Sequence, residues 1–363
     1  MIYLDYQATT PLAPEAKAAM LPWLDKFANP HSPSRAGREA AAAIEHARGQ
    51  VAALLPEGGQ VIFTSGATEA LNMAIGGVKG RIVTLATEHA AVLDTAEWLR
   101  GEGHDIDVLP VGPDGLVDLD RLRSALRQPT ALVAAMLVNN EIGVVQPITE
   151  IARLAHDAGA RMLCDAVQGF GRLPIPDGPD LIAVSAHKIH GPKGIGALWV
   201  RQGVDVAPLL HGGGQERGMR SGTLSPMLCA GFGAAAVVAA EQREADRAHV
   251  EQLWHAALDT LGPDWIVNGS TEHRYRGNLN VRREGLDTAR LLSDCRQIAF
   301  SLGSACASGS GRPSHVLRAL GLSDREARQS IRLGFGRYTA LDEITEACTL
   351  IRRTAEDQQR FAA

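Results

Sequence analysis

Asp180 to Val200 reads DLIAVSAHKIHGPKGIGALWV. An apolar run, Leu181 to Val184, ends in Ser185, Ala186, His187 and Lys188; a glycine-rich turn follows, then a second apolar run from Ile195 to Val200. Short apolar runs bounded by glycine and proline read as buried strands. That places Lys188 on a loop at the carboxyl end of a strand, where open α/β sheets bind ligands. An amine held between apolar strands is partly desolvated, so its pKa falls and it becomes a usable nucleophile. Ser185 and His187 flank it with donors suited to an anion. A lone lysine at a strand end is more often an ordinary surface residue, so this reading depends on matching parts elsewhere in the chain.

Upstream, strand and helix patterns alternate. The first dozen residues look extended, Pro14 to Phe27 carries helical spacing, and Ser34 caps an alanine-rich helix that runs to Leu55. Strands are predicted from Val61 to Thr64, Arg81 to Ala86, Ile106 to Leu109, Ala131 to Val138 and Arg161 to Cys164. Helices lie between them, from Thr68 to Val78, Ala90 to Arg100, Asp118 to Leu126 and Thr149 to Ala158. Such alternation means a mainly parallel sheet covered on both faces. After Val200 come a long glycine-rich loop and two helices, the second (roughly Glu241 to Leu261) more charged and linking two domains. Shorter strands from Asn278 to Val281, Ile298 to Ser301 and Ser330 to Phe335 are interleaved with helices, the pattern of a small α+β domain.

Composition bounds the function classes. At 363 residues the chain exceeds one typical domain, and 45% hydrophobic with 21% charged residues is ordinary for a globular protein. A net charge of -5 gives no electrostatic case for nucleic acid or an anionic membrane as the main partner. The longest nearly apolar run, Pro226 to Ala240, is too short and too rich in alanine and glycine for a membrane span. With no signal-peptide pattern at the start, the expected location is the cytoplasm. Five cysteines without C-x-x-C spacing argue against a zinc site or disulfide framework and suggest free thiols.

Several strand ends carry chemistry. Thr64-Ser-Gly-Ala-Thr-Glu-Ala joins a strand to a helix, and Ser65, Gly66 and Thr68 offer an anion a free backbone, a hydroxyl and a helix N-terminus; an ordinary capping box is the alternative. Asp165 ends a buried run, where an acid needs a cationic partner unless it merely caps a turn. Glu88-His89 follows another strand, and Asn139-Asn140-Glu141 a third. Arg332 alternates with apolar residues, so it faces solvent, forms a structural ion pair or grips a carboxylate. Cys306 lies in SLGSACASGSG, among small residues that cannot pack; access and low steric cost suit a nucleophilic thiol. Cys164, Cys229, Cys295 and Cys348 read as buried fillers. An amine, an acid, an imidazole and a phosphate cradle at neighbouring strand ends are what pyridoxal phosphate requires.

TSGATEA, EHAAVL, NNEIGVVQPI, DAVQGFG, SAHKIHGPKGIGALWV, GGGQERGMRSGT, SLGSACASG and PSHVLRALGL resemble, in order and spacing, the cysteine desulfurases. These are class V aminotransferase-like enzymes of fold type I, and the resemblance covers nearly the whole chain. It implies an α/β fold with a mainly parallel central sheet in a large domain (14–255), and a smaller α+β domain (1–13 with 256–363) carrying the cysteine loop. It implies that Lys188 anchors the cofactor and acts as the Cα base, Asp165 pairs with the pyridine nitrogen, Gln168 bonds the ring hydroxyl and His89 stacks on the ring and assists proton transfer. Ala67, Thr68, Ser185 and His187 would hold the phosphate, with Thr223 supplied by the second subunit of a homodimer. Asn140 and Arg332 would orient L-cysteine, and Cys306 would take its sulfur as a persulfide for an acceptor such as an iron–sulfur scaffold, leaving alanine. Ala90 stands where the family commonly has proline, and the chain stops sooner than members whose tail docks the scaffold. Another class V enzyme (a selenocysteine lyase or an aminotransferase) and a non-catalytic sulfur-relay subunit remain alternatives.

Overall fold

The computed structural model describes residues 1–302 and 313–362. Its first half runs β1 (Ile2–Tyr3), α1 (Pro14–Met20), α2 (Arg35–Ala52), β2 (Gly59–Thr64), α3 (Ala67–Gly76), β3 (Ile82–Leu85), α4 (Ala90–Gly101), β4 (Ile106–Leu109), α5 (Leu119–Ala125), β5 (Leu132–Met136), α6 (Ile148–Asp157) and β6 (Arg161–Asp165). Then come β7 (Leu181–Ser185), β8 (Gly196–Arg201), α7 (Pro226–Leu261), β9 (Ile266–Val267), β10 (Asn278–Arg282), α8 (Thr288–Asp294), β11 (Ile298–Ala299), α9 (His315–Ala319), α10 (Asp324–Arg328), β12 (Ser330–Gly334) and α11 (Leu341–Ala362).

The central sheet has seven strands in the order β2-β8-β7-β6-β5-β3-β4. It is parallel throughout except for β8, which runs antiparallel to both neighbours. Burial on both faces explains the continuous apolar runs: every residue of β3, β5 and β7 is buried. β12-β10-β9 form a separate antiparallel sheet, and β1 pairs in parallel with β11. A second hydrophobic cluster joins Ile2 and Leu4 of the chain start to Leu279, Ile298, Leu333 and Ile351.

The structure corrects two expectations. The predicted pair of helices after residue 225 is one helix, α7, of 36 residues and about 54 Å at 1.5 Å per residue. The composition shift near Glu241 changes what the helix packs on, not its backbone: no proline or glycine interrupts it between Ala234 and Leu261. Cys229, Phe232 and Ala236 pack into the large core, while Leu253, Trp254 and Ala257 pack into the second cluster. The helical spacing from Pro14 to Phe27 yields a helix only to Met20, because Pro22 permits just a 3-10 turn at Leu21–Trp23. Among the described residues no helix is long and apolar enough to cross a membrane.

Candidate active site

Five strand carboxyl ends supply the wall of one cavity of about 550 Å³. β2 leads through Ser65 and Gly66 into α3, so Gly66, Ala67 and Thr68 line it at a helix N-terminus. Glu69 does cap, as the alternative reading held: Ser65 N donates to Glu69 Oε2 at 2.7 Å, and Arg220 holds Glu69. The N-cap Gly66 brings no side chain, which leaves following amides for an anion. A Cβ at Gly196 would sit 2.6 Å from the Val184 carbonyl oxygen and 2.8 Å from Gly66 Cα, so only glycine lets β8 pass this close to the turn.

β3 leads to His89, the N-cap of α4, whose Nδ1 accepts from Ala91 N at 3.0 Å; the ring proton of neutral His89 therefore sits on Nε2. Its neighbour Glu88 is completely buried. Glu88 Oε1 accepts from Met136 N at 2.8 Å, and Oε2 has no hydrogen-bond partner among the described residues. Burial, reinforced by the charge of Asp165, raises its pKa well above the usual carboxylate range. β5 leads to Asn140, whose carbonyl accepts from Arg332 at 3.1 Å and Asn278 at 3.0 Å.

β6 ends in Asp165, which is buried and accepts from Val167 N at 3.0 Å. Burial raises its pKa, opposed by His89, the Val167 amide and Lys188. Gln168 is fixed at both ends: Oε1 accepts from Arg172 at 2.7 Å and Nε2 donates to the Gln7 carbonyl at 3.0 Å. β7 ends in Ser185, and a single 3-10 turn, Ala186–Lys188, carries His187 and Lys188 into the cavity. His187 Nδ1 lies 3.1 Å from Thr9 Oγ1, and burial, followed by the charge of Lys188, pushes its pKa down to about 4. Lys188 Nζ donates to the carbonyls of Gln7 and, at 2.8 Å, Ala8.

Arg332, on β12, is fully buried and does not face solvent. Its Nη2 donates to Asp5 at 2.8 Å and Ser301 at 3.1 Å, while Nε has no partner among the described residues. The ion pair is present, yet Arg332 still lines the cavity. Thr223 is exposed on the glycine-rich loop and does not line the cavity. Cys306 lies outside the described residues; the other four cysteines are free and buried.

The cavity thus gathers Ala67, Thr68, His89, Asn140, Asp165, Gln168, Ser185, His187, Lys188 and Arg332. Sequence reasoning missed the chain start. Gln7, Ala8 and Thr9 form one wall, and Asp5 holds Arg332; the only signal was a polar run of residues after a short apolar one. It also missed Arg172, which braces Gln168 and donates to the Lys188 carbonyl at 2.8 Å. The donor set fits pyridoxal phosphate: helix amides for a phosphate, a buried acid for a pyridinium, and an amine for an aldehyde.

The family model for class V aminotransferases matches residues 2–346. A cysteine desulfurase IscS of Rickettsia bellii (strain OSU 85-389) is 46% identical, with 96% of this chain and 90% of that protein covered. The solved structure of a NifS-like protein from Rickettsia africae ESF-5 superposes with a TM-score of 0.91 at 31% identity, covering 98% of this chain and 99% of that one. A structure of SspA in complex with cysteine gives 0.84 at 35% identity, covering 94% and 100%. A sheet with this topology, a lysine and an acid at adjacent strand ends, and relatives matched almost end to end place the chain in the class V aminotransferase family, in its cysteine desulfurase branch.

Proposed function

We propose that this chain is a pyridoxal-phosphate-dependent cysteine desulfurase, which converts L-cysteine to L-alanine and leaves the sulfur as a persulfide on Cys306. The observation that carries the reading is the convergence of Lys188, Asp165, His89 and the α3 N-terminus on one cavity. When bound, pyridoxal phosphate supplies an electron sink that acidifies Cα–H and activates the Cβ–S bond. Lys188 anchors it and then takes the Cα proton. Asp165, charged opposite a cationic ring nitrogen, keeps that nitrogen protonated. Gln168 still has one amide N–H to offer the ring hydroxyl, and His89, its Nε2–H not used by the Ala91 bond, would pack against the ring. Ala67, Thr68, Ser185 and His187 hold the phosphate, joined by Thr223 of a second subunit in a homodimer. Arg332, in the cavity wall beside Asn140, grips the substrate carboxylate. The Cys306 thiolate attacks the substrate sulfur: an S–S bond forms, the Cβ–S bond breaks, and its electron pair goes to carbon, which is protonated to the methyl of alanine.

Residues 14–255 act in this reading as the cofactor domain, and 1–13 with 256–363 as the small domain that carries Cys306. The persulfide passes to an acceptor protein, such as an iron–sulfur scaffold, in the cytoplasm. The test is purified protein with pyridoxal phosphate and L-cysteine. A visible chromophore, a borohydride-fixed phosphopyridoxyl group on Lys188, and equal yields of alanine and sulfide in the presence of a thiol are expected. Cys306→Ser should abolish alanine formation while keeping the chromophore; unchanged turnover in that variant would refute the persulfide step.

A further inference from the structure

A second cavity, of about 620 Å³, has only Lys188 in common with the first among its lining residues. It lies between α7, the turn at Gly171–Leu173, the 272–276 loop and Arg337, and so is walled by both hydrophobic clusters; Tyr275 packs against each. That volume is typical of a small-molecule site.

Its lining is basic in a chain whose net charge is -5: six arginines face four carboxylates. Three arginines are neutralised, Arg337 by Asp246, Arg276 by Glu251 and Arg247 by Glu244. Arg172, Arg243 and Arg274 have no carboxylate partner among the described residues, against one unpaired acid, Glu272. Arg274 is buried and four of its five N–H donors go to the carbonyls of Asn268, Ser270 and Asn278, so it contributes chiefly charge. Burial pushes its pKa down to about 9, which an anion nearby would reverse. The free donor of the cleft is Arg243, which makes no hydrogen bond or ion pair among the described residues; Nη1 of Arg337 is likewise without a partner among them, but is buried. Buried unpaired charge and an unmet donor each cost stability unless something fills the site.

We propose that this cleft is a binding site for a small, multiply charged anion bearing phosphate or carboxylate groups, distinct from the site that holds the cofactor phosphate. Occupancy reaches the active site through Arg172, which stands in the cleft wall while donating to the Gln168 side chain and the Lys188 carbonyl. The inference does not depend on which amino acid the enzyme processes.

The test uses the cofactor-loaded protein, so that the cofactor phosphate site is filled. Inorganic pyrophosphate and citrate are titrated separately by calorimetry, with thermal unfolding in parallel; the stronger of the two assigns the anion class. Saturable binding at or below millimolar concentration, with a rise in Tm, is expected. Arg243→Glu should weaken it at least about tenfold, the cost of one lost charge-assisted bond, and Arg243→Gln should weaken it less. Arg296→Glu, the same charge change at an exposed residue outside the cleft, should leave affinity within about twofold if binding is local. Absence of saturable binding for both anions, or equal weakening by the two glutamate variants, overturns the proposal.

Discussion

Arg332 shows how one side chain can satisfy two readings at once. Sequence pattern set a structural ion pair against a carboxylate grip, and burial makes the first a condition for the second: a guanidinium removed from water needs Asp5 to stay in place. Asp5 Oδ1 also accepts from Ser301 at 2.9 Å, so the carboxylate fixes the Nη2 edge of the guanidinium in the cavity wall. Asp5→Ala should therefore raise KM for L-cysteine about tenfold with kcat little changed, and cost about 3 kcal/mol of stability by stranding a buried charge. Asp5→Asn, which keeps an acceptor for Ser301, should fall between. Steady-state kinetics beside urea unfolding separate the two effects; a stability loss with KM unchanged would make Asp5 purely structural. The polar run after the first short apolar stretch did not announce this pairing. Lys188 and Asp165 were legible because strand ends can be read from apolar runs, whereas Asp5 meets Arg332 across 327 residues of separation, which no local pattern encodes.

The alternating strands and helices were legible because the central strands' apolar runs are buried on both sides, and element boundaries moved by only a few residues. The α7 helix was not, since its two halves differ in composition but share an unbroken backbone. Its glycines are explained by neighbours rather than by flexibility. A Cβ at Gly233 would lie 2.8 Å from Ala47 Cα and 2.3 Å from Gln50 Oε1, where α2 crosses α7. At Gly49, on α2 itself, a Cβ would meet nothing within 4 Å. Helix propensity alone would make both alanine substitutions stabilising by about 1 kcal/mol. Packing predicts opposite signs: Gly49→Ala should raise stability by about 1 kcal/mol, and with it Tm, whereas Gly233→Ala should lower stability by about 1–3 kcal/mol as α2 is forced outward. Thermal unfolding of the two variants settles which term dominates.

At the scale of the whole molecule, the buried ionisable groups pull the pH dependence in opposite directions. Glu88 and Asp165 have raised carboxyl pKa values, so their contribution is fully present below their unfolded pKa and is lost as pH rises through the folded one. His187 and His190 are held neutral, each pushed down to about 4, chiefly by burial. The unfolded chain binds those protons from about pH 6.5 downward, so the histidine contribution is intact above 6.5 and is lost as pH falls toward 4. His190 is the cleaner probe, because it lies outside the cofactor cavity and its Nδ1 donates to the Pro11 carbonyl at 2.9 Å. The cations Arg337 and Arg172 disfavour its protonation, and Asp246 only partly offsets them. Its φ of 67° is left-handed, a conformation asparagine tolerates better than most residues, and the asparagine amide can still donate to Pro11. His190→Asn should therefore fold and should lose less stability on acidification than the parent. Between pH 6.5 and about 4 the difference should approach, and not exceed, about 1.4 kcal/mol per pH unit, the value of one proton. Urea unfolding of both proteins at several pH values in that window measures it directly; parallel curves would mean that His190 is not charged by unfolding and that the acid sensitivity arises at other groups.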